Sequence, residues 1–471
     1  MDAFAPPARP LVAGPPAGWR RELGALVRLS APLVGANLLQ MAIYSSDVIF
    51  VARLGSHALA AATLGVYLYA VLLFALIGLV NAAAPVIAAE LGRKRHAVRE
   101  VRRSFRMAIW LSVIASLPMM ALLAHGGTLL GWMGQDPGAS AQAGRYLGIL
   151  LISMIPAVAG NVLRITVSAL GRPHWAMAVT AFGLVANIIG NWLLVFGNLG
   201  FPRLGLTGAA IASVATVYLM LGAYALILLR DAKLRRYRLF GKWWRPEWSR
   251  LVEMVRLGVP IAITMTFEGA IFSAATFLMG LIGVTEVAAH AVAMQIAAIT
   301  FQVPYGIAQA ATIRVGMAYG ARDAAWIALA GRTALALGIG FMGLAALALL
   351  IWPRLFVHAY LAGGSGDADT VALAVRYLSI AAAFQLFDGA QAVAAGVLRG
   401  LQDTRIPMVL AGLGYWVAGF GAAILFGFGL GWQGTGIWIG LATGLAVVAL
   451  LLGARWAMRA RIGLLPQPSR G

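Results

Sequence analysis

The sequence predicts an all-α integral membrane protein, with twelve transmembrane helices in two pseudo-twofold-related six-helix lobes around a central cleft. Three observations carry this. The chain is 61% hydrophobic and only 11% charged, whereas a soluble domain carries about a quarter charged residues, so its solvent is lipid. Apolar runs that can cross a bilayer, about 20 residues each, recur twelve times. The first half of the chain also reappears in the second at a nearly constant spacing.

The apolar runs predict helices over 27–52, 58–88, 104–128, 143–169, 176–197, 206–230, 255–282, 287–315, 325–352, 371–398, 406–429 and 434–458. Several exceed the minimum span, which permits tilt. Leu26-Val27-Arg28-Leu29-Ser30-Ala31-Pro32 resembles Met254-Val255-Arg256-Leu257-Gly258-Val259-Pro260, an offset of 228 residues. The same offset pairs Gly55 with Gly283, Ala60-Ala61 with Ala288-Ala289 and Gly92 with Gly320, and Leu170…Met177 matches Leu401…Met408 at 231. Six helices return a chain to the side it entered from. The two copies are therefore parallel repeats, related by an axis along the membrane normal.

The expected organisation is a disordered cytoplasmic tail over 1–25, a lobe over 26–230, a cytoplasmic linker over 231–253, a second lobe over 254–460 and a tail over 461–471. The Pro/Ala/Gly-rich start has no short apolar core followed by a small-residue cleavage site, so it does not read as a secretory signal.

The formal net charge of +20 would point to nucleic acid in a soluble protein. Its distribution points elsewhere. With the N-terminus in the cytoplasm, all but five of the 36 Lys and Arg residues fall in cytoplasmic segments; the five are Arg53, Arg145, Arg203, Arg354 and Arg376. This is the positive-inside pattern of a multi-pass bacterial inner-membrane protein with both termini cytoplasmic. The basic runs Arg93-Lys94-Arg95 and 230–245 read as topology anchors against anionic lipid, and the tryptophans of Lys242-Trp243-Trp244-Arg245-Pro246 as headgroup-level residues. No nucleic-acid partner is expected.

Cysteine is absent, which excludes disulfides and thiolate metal sites. No Gly-x4-Gly-Lys-Ser/Thr pattern offers an ATP site, and no His-Glu-x-x-His or Gly-x-Ser-x-Gly motif offers hydrolase chemistry. Neither an enzyme nor a cofactor is expected.

Three acids fall well inside predicted spans: Asp47, Glu268 and Asp388. An ionised carboxylate at the bilayer centre costs about 2.5–3.5 kcal/mol. On this reading no Lys or Arg lies at similar depth, so the acids are expected to face a wet cavity and bind cations or protons. The alternative is protonated acids hydrogen-bonded between helices. Glu268 and Asp388 lie level within about a turn or two near mid-membrane.

Asn37, Gln40, Tyr44 and Asp47 share one face of the first helix. Gln295, Gln302 and Gln309 recur every seven residues on the eighth, with Tyr305 nearby, while Asn187 and Asn191 are one turn apart on the fifth and Asn161 lies on the fourth. Such residues either line a cavity or hydrogen-bond between helices. Phe267, Phe272, Phe301, Tyr305, Phe384 and Phe387 lie near the acid pair and offer cation–π surfaces.

Ser45-Ser46-Asp47-Val48-Ile49-Phe50-Val51-Ala52-Arg53-Leu54-Gly55 resembles the D-x-x-x-x-G-x-L-G-like signature of multidrug and toxic compound extrusion (MATE) transporters, with Ala52 at the first Gly. Ala311-Thr312-Ile313-Arg314-Val315-Gly316 and 395–404 also look like MATE segments, and Glu268 and Asp388 match acid positions of the NorM-like branch. The resemblance covers roughly residues 25–460. It implies antiport, the exchange of H+ or Na+ for organic, mostly cationic compounds by alternating access between the lobes, in a protein expected to act as a monomer. It implies that Glu268 and Asp388 hold the coupling ion, and Na+ itself if the protein is sodium-coupled. Asp47, Gln40, Tyr44, Asn37, Asn161, Asn187, Asn191, Gln295, Gln302, Tyr305 and Phe384 would serve substrate or proton binding. Phe384 stands where NorM-like proteins often carry Tyr, a departure that favours H+ over Na+. The alternative within the same fold is a flippase for lipid-linked precursors. Such proteins tend to need cationic residues for a pyrophosphate, whereas the deep charges found here are negative. A channel is disfavoured because nothing resembles a filter.

Overall fold

A chain immersed in hydrocarbon must satisfy its backbone N–H and C=O groups internally, and a helix does so within one segment. The computed structural model describes residues 18–93, 97–241, 243–361 and 368–466. Lys94 and Arg95 of the first basic run, Lys242 of the linker and the far ends of both tails lie outside the described residues. Among the described residues no strand forms, and twelve helices are long and apolar enough to cross a membrane. They are α1 (Trp19–Ala52), α2 (Ser56–Arg93), α3 (Ala97–Ala124), α4 (Pro137–Ala169), α5 (Pro173–Leu194), α6 (Leu206–Arg230), α7 (Trp248–Ile282), α8 (Val284–Gly320), α9 (Ala324–Ile351), α10 (Ala368–Gly400), α11 (Arg405–Gly429) and α12 (Gln433–Ala457).

Apart from α4, which begins at Pro137, the larger departures of the helices from the apolar runs lie toward the end that carries the termini, here termed the basic end. There α1, α3 and α7 start about two turns before the hydropathy does. Hydropathy stops at the first charges, but a helix continues through charges that find partners. Residues 19–25, expected in the disordered tail, are therefore helical, and Glu22 among them is fully buried. The linker is likewise partly ordered. A short helix, Ala232–Arg235, is capped by Asp231, which also accepts from Trp175 Nε1 at 3.0 Å. Burial opposes the Asp231 charge, but the hydrogen bonds from Trp175, Lys233 N and Leu234 N outweigh it and hold the carboxyl below its ordinary range. Trp243, Trp244 and Trp248 remain exposed.

Among the described residues three helices depart from regular winding, α4 through a 3-10 turn over Leu151–Ser153. α2 breaks between Val80 and Ala83, beside Asn81. α11 is π-wound over Leu413–Phe420 and Leu425–Gly429, a feature frequent at functional sites. Its glycines bring it against α12, where a Cβ on Gly414 would lie 2.4 Å from Val448 Cγ2.

α1 packs on α5, α5 on α6 and α3 on α4 in one lobe, as α8 packs on α10 and α10 on α12 in the other. Across the lobes, α2 packs on α7 and α8, and α1 on α8. The repeat reappears there as reciprocal contacts. A Cβ on Gly92 would meet Met317 O at 2.0 Å, and one on Gly320 would meet Ala89 O at 1.9 Å. Ala89 and Met317 are separated by the same 228 residues as the two glycines. Gly78 against Ala262 Cα (2.6 Å) and Gly306 against Val34 N (3.0 Å) form a second reciprocal set at that offset.

Ion pairs reinforce the same region. Arg314 Nε donates to Glu22 Oε1 at 2.8 Å and its Nη2 to Oε2, both residues are at most 1% exposed, and the guanidinium lies 5.1 Å over the Trp326 ring. Arg250 bonds Ser104 at 2.8 Å and pairs with Glu100 and Glu90. Arg103 and Arg106 pair with Glu247. Separating one partner of a buried pair from the other costs about 3–5 kcal/mol. Among the described residues, every inter-lobe glycine contact and ion pair lies in the half toward the basic end, so the bundle is closed there.

Candidate functional site

The three deep acids form two centres, one in each lobe. In the first lobe Asp47 sits on α1 opposite α5 and α6. Its Oδ1 accepts from Asn187 Nδ2 (2.9 Å) and Asn191 Nδ2 (2.8 Å), and its Oδ2 accepts from Ser213 Oγ (3.0 Å). One turn apart on α5, the two asparagines converge because they share a helix face, and both are fully buried. Three neutral donors thus satisfy one carboxylate, with no basic side chain in contact.

In the second lobe the acids come from different helices, Glu268 from α7 and Asp388 from α10. Gln391, on the same face of α10 as Asp388, joins them. Its Nε2 donates to Glu268 Oε1 at 3.0 Å and to Asp388 Oδ1 at 3.2 Å. Tyr415, in the π-wound stretch of α11, donates to Gln391 Oε1 at 2.9 Å. Two carboxyl groups therefore share one amide, and the hydrogen bonds run from α11 through α10 to α7. Asp388 is 5% exposed and Glu268 half-buried. Among the described residues no group of three or more His, Cys, Asp or Glu could hold a metal ion. A Na+ at the pair would need neutral oxygens beside the two carboxylates.

The other expected residues scatter. Asn37 accepts from Arg164 Nη2, and Asn161 donates to Asn81 Oδ1 at 3.1 Å across α4 and α2. Gln40 is half-buried and Tyr44 is 48% exposed. Gln302 turns back to its own helix, donating to Ala298 O at 3.2 Å, and Tyr305 stacks on Phe301. Gln295 is half-buried and Gln309 keeps a buried Oε1 without a partner. Phe384 is 1% exposed and wedged edge-on between Phe272 and Trp438, so it is a packing residue, not a cleft-lining one. The hydroxyl at the centre is that of Tyr415, from another helix.

One expectation about charge is corrected. Arg164, Arg314 and Arg399, counted with the cytoplasmic segments, lie on α4, α8 and α10 themselves. Glu268 lies in the field of Arg399, and Arg164 reaches the polar face of α1 that carries Asp47. An arginine a few residues from a helix end counts with the cytoplasmic segment beside it, yet its long side chain rises into the span.

Sequence reasoning missed Gln391, Tyr415, Ser213 and Asn81. Gln391 had a signal, its spacing of three from Asp388 on one helix face. Tyr415, Ser213 and Asn81 had none, because a single neutral polar residue in a glycine-rich or apolar run says nothing about the face it occupies.

With this geometry in place, comparison with known proteins is informative. The MatE family model matches residues 32–193 and 260–425, one segment in each repeat. "Probable multidrug resistance protein NorM" of Mesorhizobium japonicum is 46% identical over 445 residues, covering 94% of this chain and 95% of its own. "Multidrug resistance protein NorM" of Burkholderia vietnamiensis is 36% identical, covering 95% and 96%. Among solved structures, the eukaryotic MATE transporter AtDTX14 superposes with a TM-score of 0.83 at 21% identity, over 95% of this chain and 99% of that one. An outward-facing multidrug resistance MATE family transporter of the MOP superfamily gives 0.81 at 22% identity, over 97% and 100%. At these identities the structures speak to the fold.

Proposed function

Starting from a chain that belongs to the MatE family and is a multidrug efflux transporter, not an enzyme, we propose that it exports organic, mostly cationic compounds in exchange for H+ or Na+. The observation that carries this reading is the acid pair. Two carboxyl groups from α7 and α10 share a single amide donor deep in one lobe. That arrangement has more acceptor oxygens than donors, and a proton or small cation is what it lacks.

The mechanism follows from that imbalance. A cation arriving from outside binds Glu268 and Asp388 and releases at least one of the Gln391 N–H bonds. Gln391 is tied to Tyr415, so the change reaches the π-wound part of α11, the least regular helix of its lobe. Drug affinity in the outward-open state then falls, the drug leaves, the lobes rock and the ion leaves inside. The ion must bind the two states with different affinity for this coupling to exist. Closure of the basic end by Gly92, Gly320 and the Glu22–Arg314 pair supports reading this conformation as the outward-open one, with the basic end and both termini in the cytoplasm of a bacterial inner membrane. Asp47, with Asn187, Asn191 and Ser213, serves the substrate or a proton in the other lobe. The transporter works as a monomer among membrane lipids. The flippase reading is not favoured, because the full-length relatives are named for multidrug resistance.

Reconstituted vesicles with separately imposed sodium and pH gradients test the proposal. Ethidium movement driven by one gradient, and lost in both Glu268→Gln and Asp388→Asn, is the expected result. Movement that neither gradient drives would overturn it.

A further inference from the structure

The first lobe holds a positive charge that the ion-coupling scheme does not use. Arg164 lies toward the basic end of α4. Helical side chains lean toward the helix N-terminus, which for α4 is the opposite end of the bundle. The guanidinium therefore rises into the span, where Nη2 donates to Asn37 Oδ1. Among the described residues no carboxylate pairs with Arg164, and no other side-chain N–H of it meets a protein acceptor. None of its nitrogens is a buried orphan either, so the free N–H groups open onto accessible space.

A lone cation within a span costs about 2.5–3.5 kcal/mol unless a cavity or a partner receives it. The face of α1 it reaches carries Asn37, Gln40, Tyr44 and Asp47 in succession, with Asn37 itself 6% exposed. At the helical rise, Asp47 stands about 15 Å from Asn37 along that face. Tyr44, between them and 48% exposed, lies in the field of both Asp47 and Arg164. The lobe thus presents a carboxylate at one end of a polar stripe, a guanidinium with free donors at the other and an aromatic ring between.

We propose that Arg164 is an anion subsite of the first lobe, which receives the acid group of an amphoteric substrate whose amine lies toward Asp47. This rests on the export reading and names the residue that would orient those substrates that bear an acid beside a basic amine. A guanidinium takes a carboxylate through two parallel N–H···O bonds, which fixes orientation as well as charge. A purely cationic analogue leaves those donors unmatched.

The test uses a rhodamine dye carrying a free carboxyl group, and the methyl ester of the same dye, bound to the purified full-length protein and followed by fluorescence anisotropy. The wild type is expected to bind the free acid about tenfold more tightly than the ester, as one charge-assisted pair allows. Arg164→Gln is expected to reduce that preference to about twofold or less, and Arg164→Lys to recover part of it by keeping the charge but not the fork. Equal binding of acid and ester by the wild type would overturn the proposal without any variant, and so would an undiminished preference in Arg164→Gln. The export reading fails separately, through the absence of gradient-driven ethidium movement in vesicles whose protein still prefers the acid.

Discussion

The two acid centres lie in the two copies of one repeat, yet their hydrogen bonding is opposite. Asp47 is one carboxylate with three donors, from Asn187, Asn191 and Ser213. Glu268 and Asp388 are two carboxyl groups with one shared amide, from Gln391. The residue 228 positions before Glu268 is Gln40, so the repeat places a neutral amide where the second lobe has an acid. A site whose donors already match its acceptors has nothing to gain from a visiting cation beyond its net charge. A site short of donors is completed by one. On the proposed function, ion coupling falls to the second lobe, and a fully hydrogen-bonded carboxyl for a substrate cation or a proton falls to the first.

The largest expected effect breaks the second centre. Glu268→Gln or Asp388→Asn should lower ethidium efflux from cells by about tenfold or more, the equivalent of at least about 1.4 kcal/mol of lost coupling. If efflux persists undiminished in both, the contrast between the centres has no functional meaning. Next comes a change that touches neither centre. Gly320→Ala would drive a Cβ to 1.9 Å from Ala89 O, whereas Gly148→Ala, with nothing within 4 Å, is its control. Because the chain has no cysteine, two cysteines placed across the basic end report on closure alone. Cross-linking should fall several-fold in Gly320→Ala, as a backbone clash at the seal demands.

Stability sharpens the comparison further. Asp47→Asn brings an amide toward three donors and should cost about 1–3 kcal/mol, the penalty for buried polar groups left unmatched. Asp388→Asn faces one donor and should cost less. Thermal unfolding in detergent orders the two, and the reverse order would show that the centres were misread. The smallest effect is expected for Tyr415→Phe, which removes one hydroxyl from Gln391 at a cost of about 0.5–1.5 kcal/mol. It should weaken the dependence of efflux on the driving ion more than it weakens ethidium binding, measured on the same preparation. Equal weakening would place Tyr415 outside the coupling chain.

How far the site could be read beforehand differs by residue. Asp47, Glu268 and Asp388 stood out because charge inside an apolar run is expensive wherever the side chain points. Phe384 is not legible in the same way, since an aromatic ring packs as readily between helices as beside a cleft, and its neighbours Phe272 and Trp438 show it packed. Asn37 and Asn161 are visible as polar residues, but their partners Arg164 and Asn81 are not, because Arg164 counts with the cytoplasmic charges and Asn81 falls within an unbroken apolar run.

The sequence alone determined the twelve spans, the repeat and the three deep acids, because each follows from local free energies of transfer into lipid or from identity at a constant spacing. Tertiary structure decided where the start of α1 packs, since Glu22 is buried there against Arg314 and Trp326 of the other lobe. It also decided that one amide serves two acids and that Arg164 stands unpaired by any carboxylate among the described residues. Those outcomes depend on which faces of separate helices meet, and no single helix encodes the face that its neighbours will present.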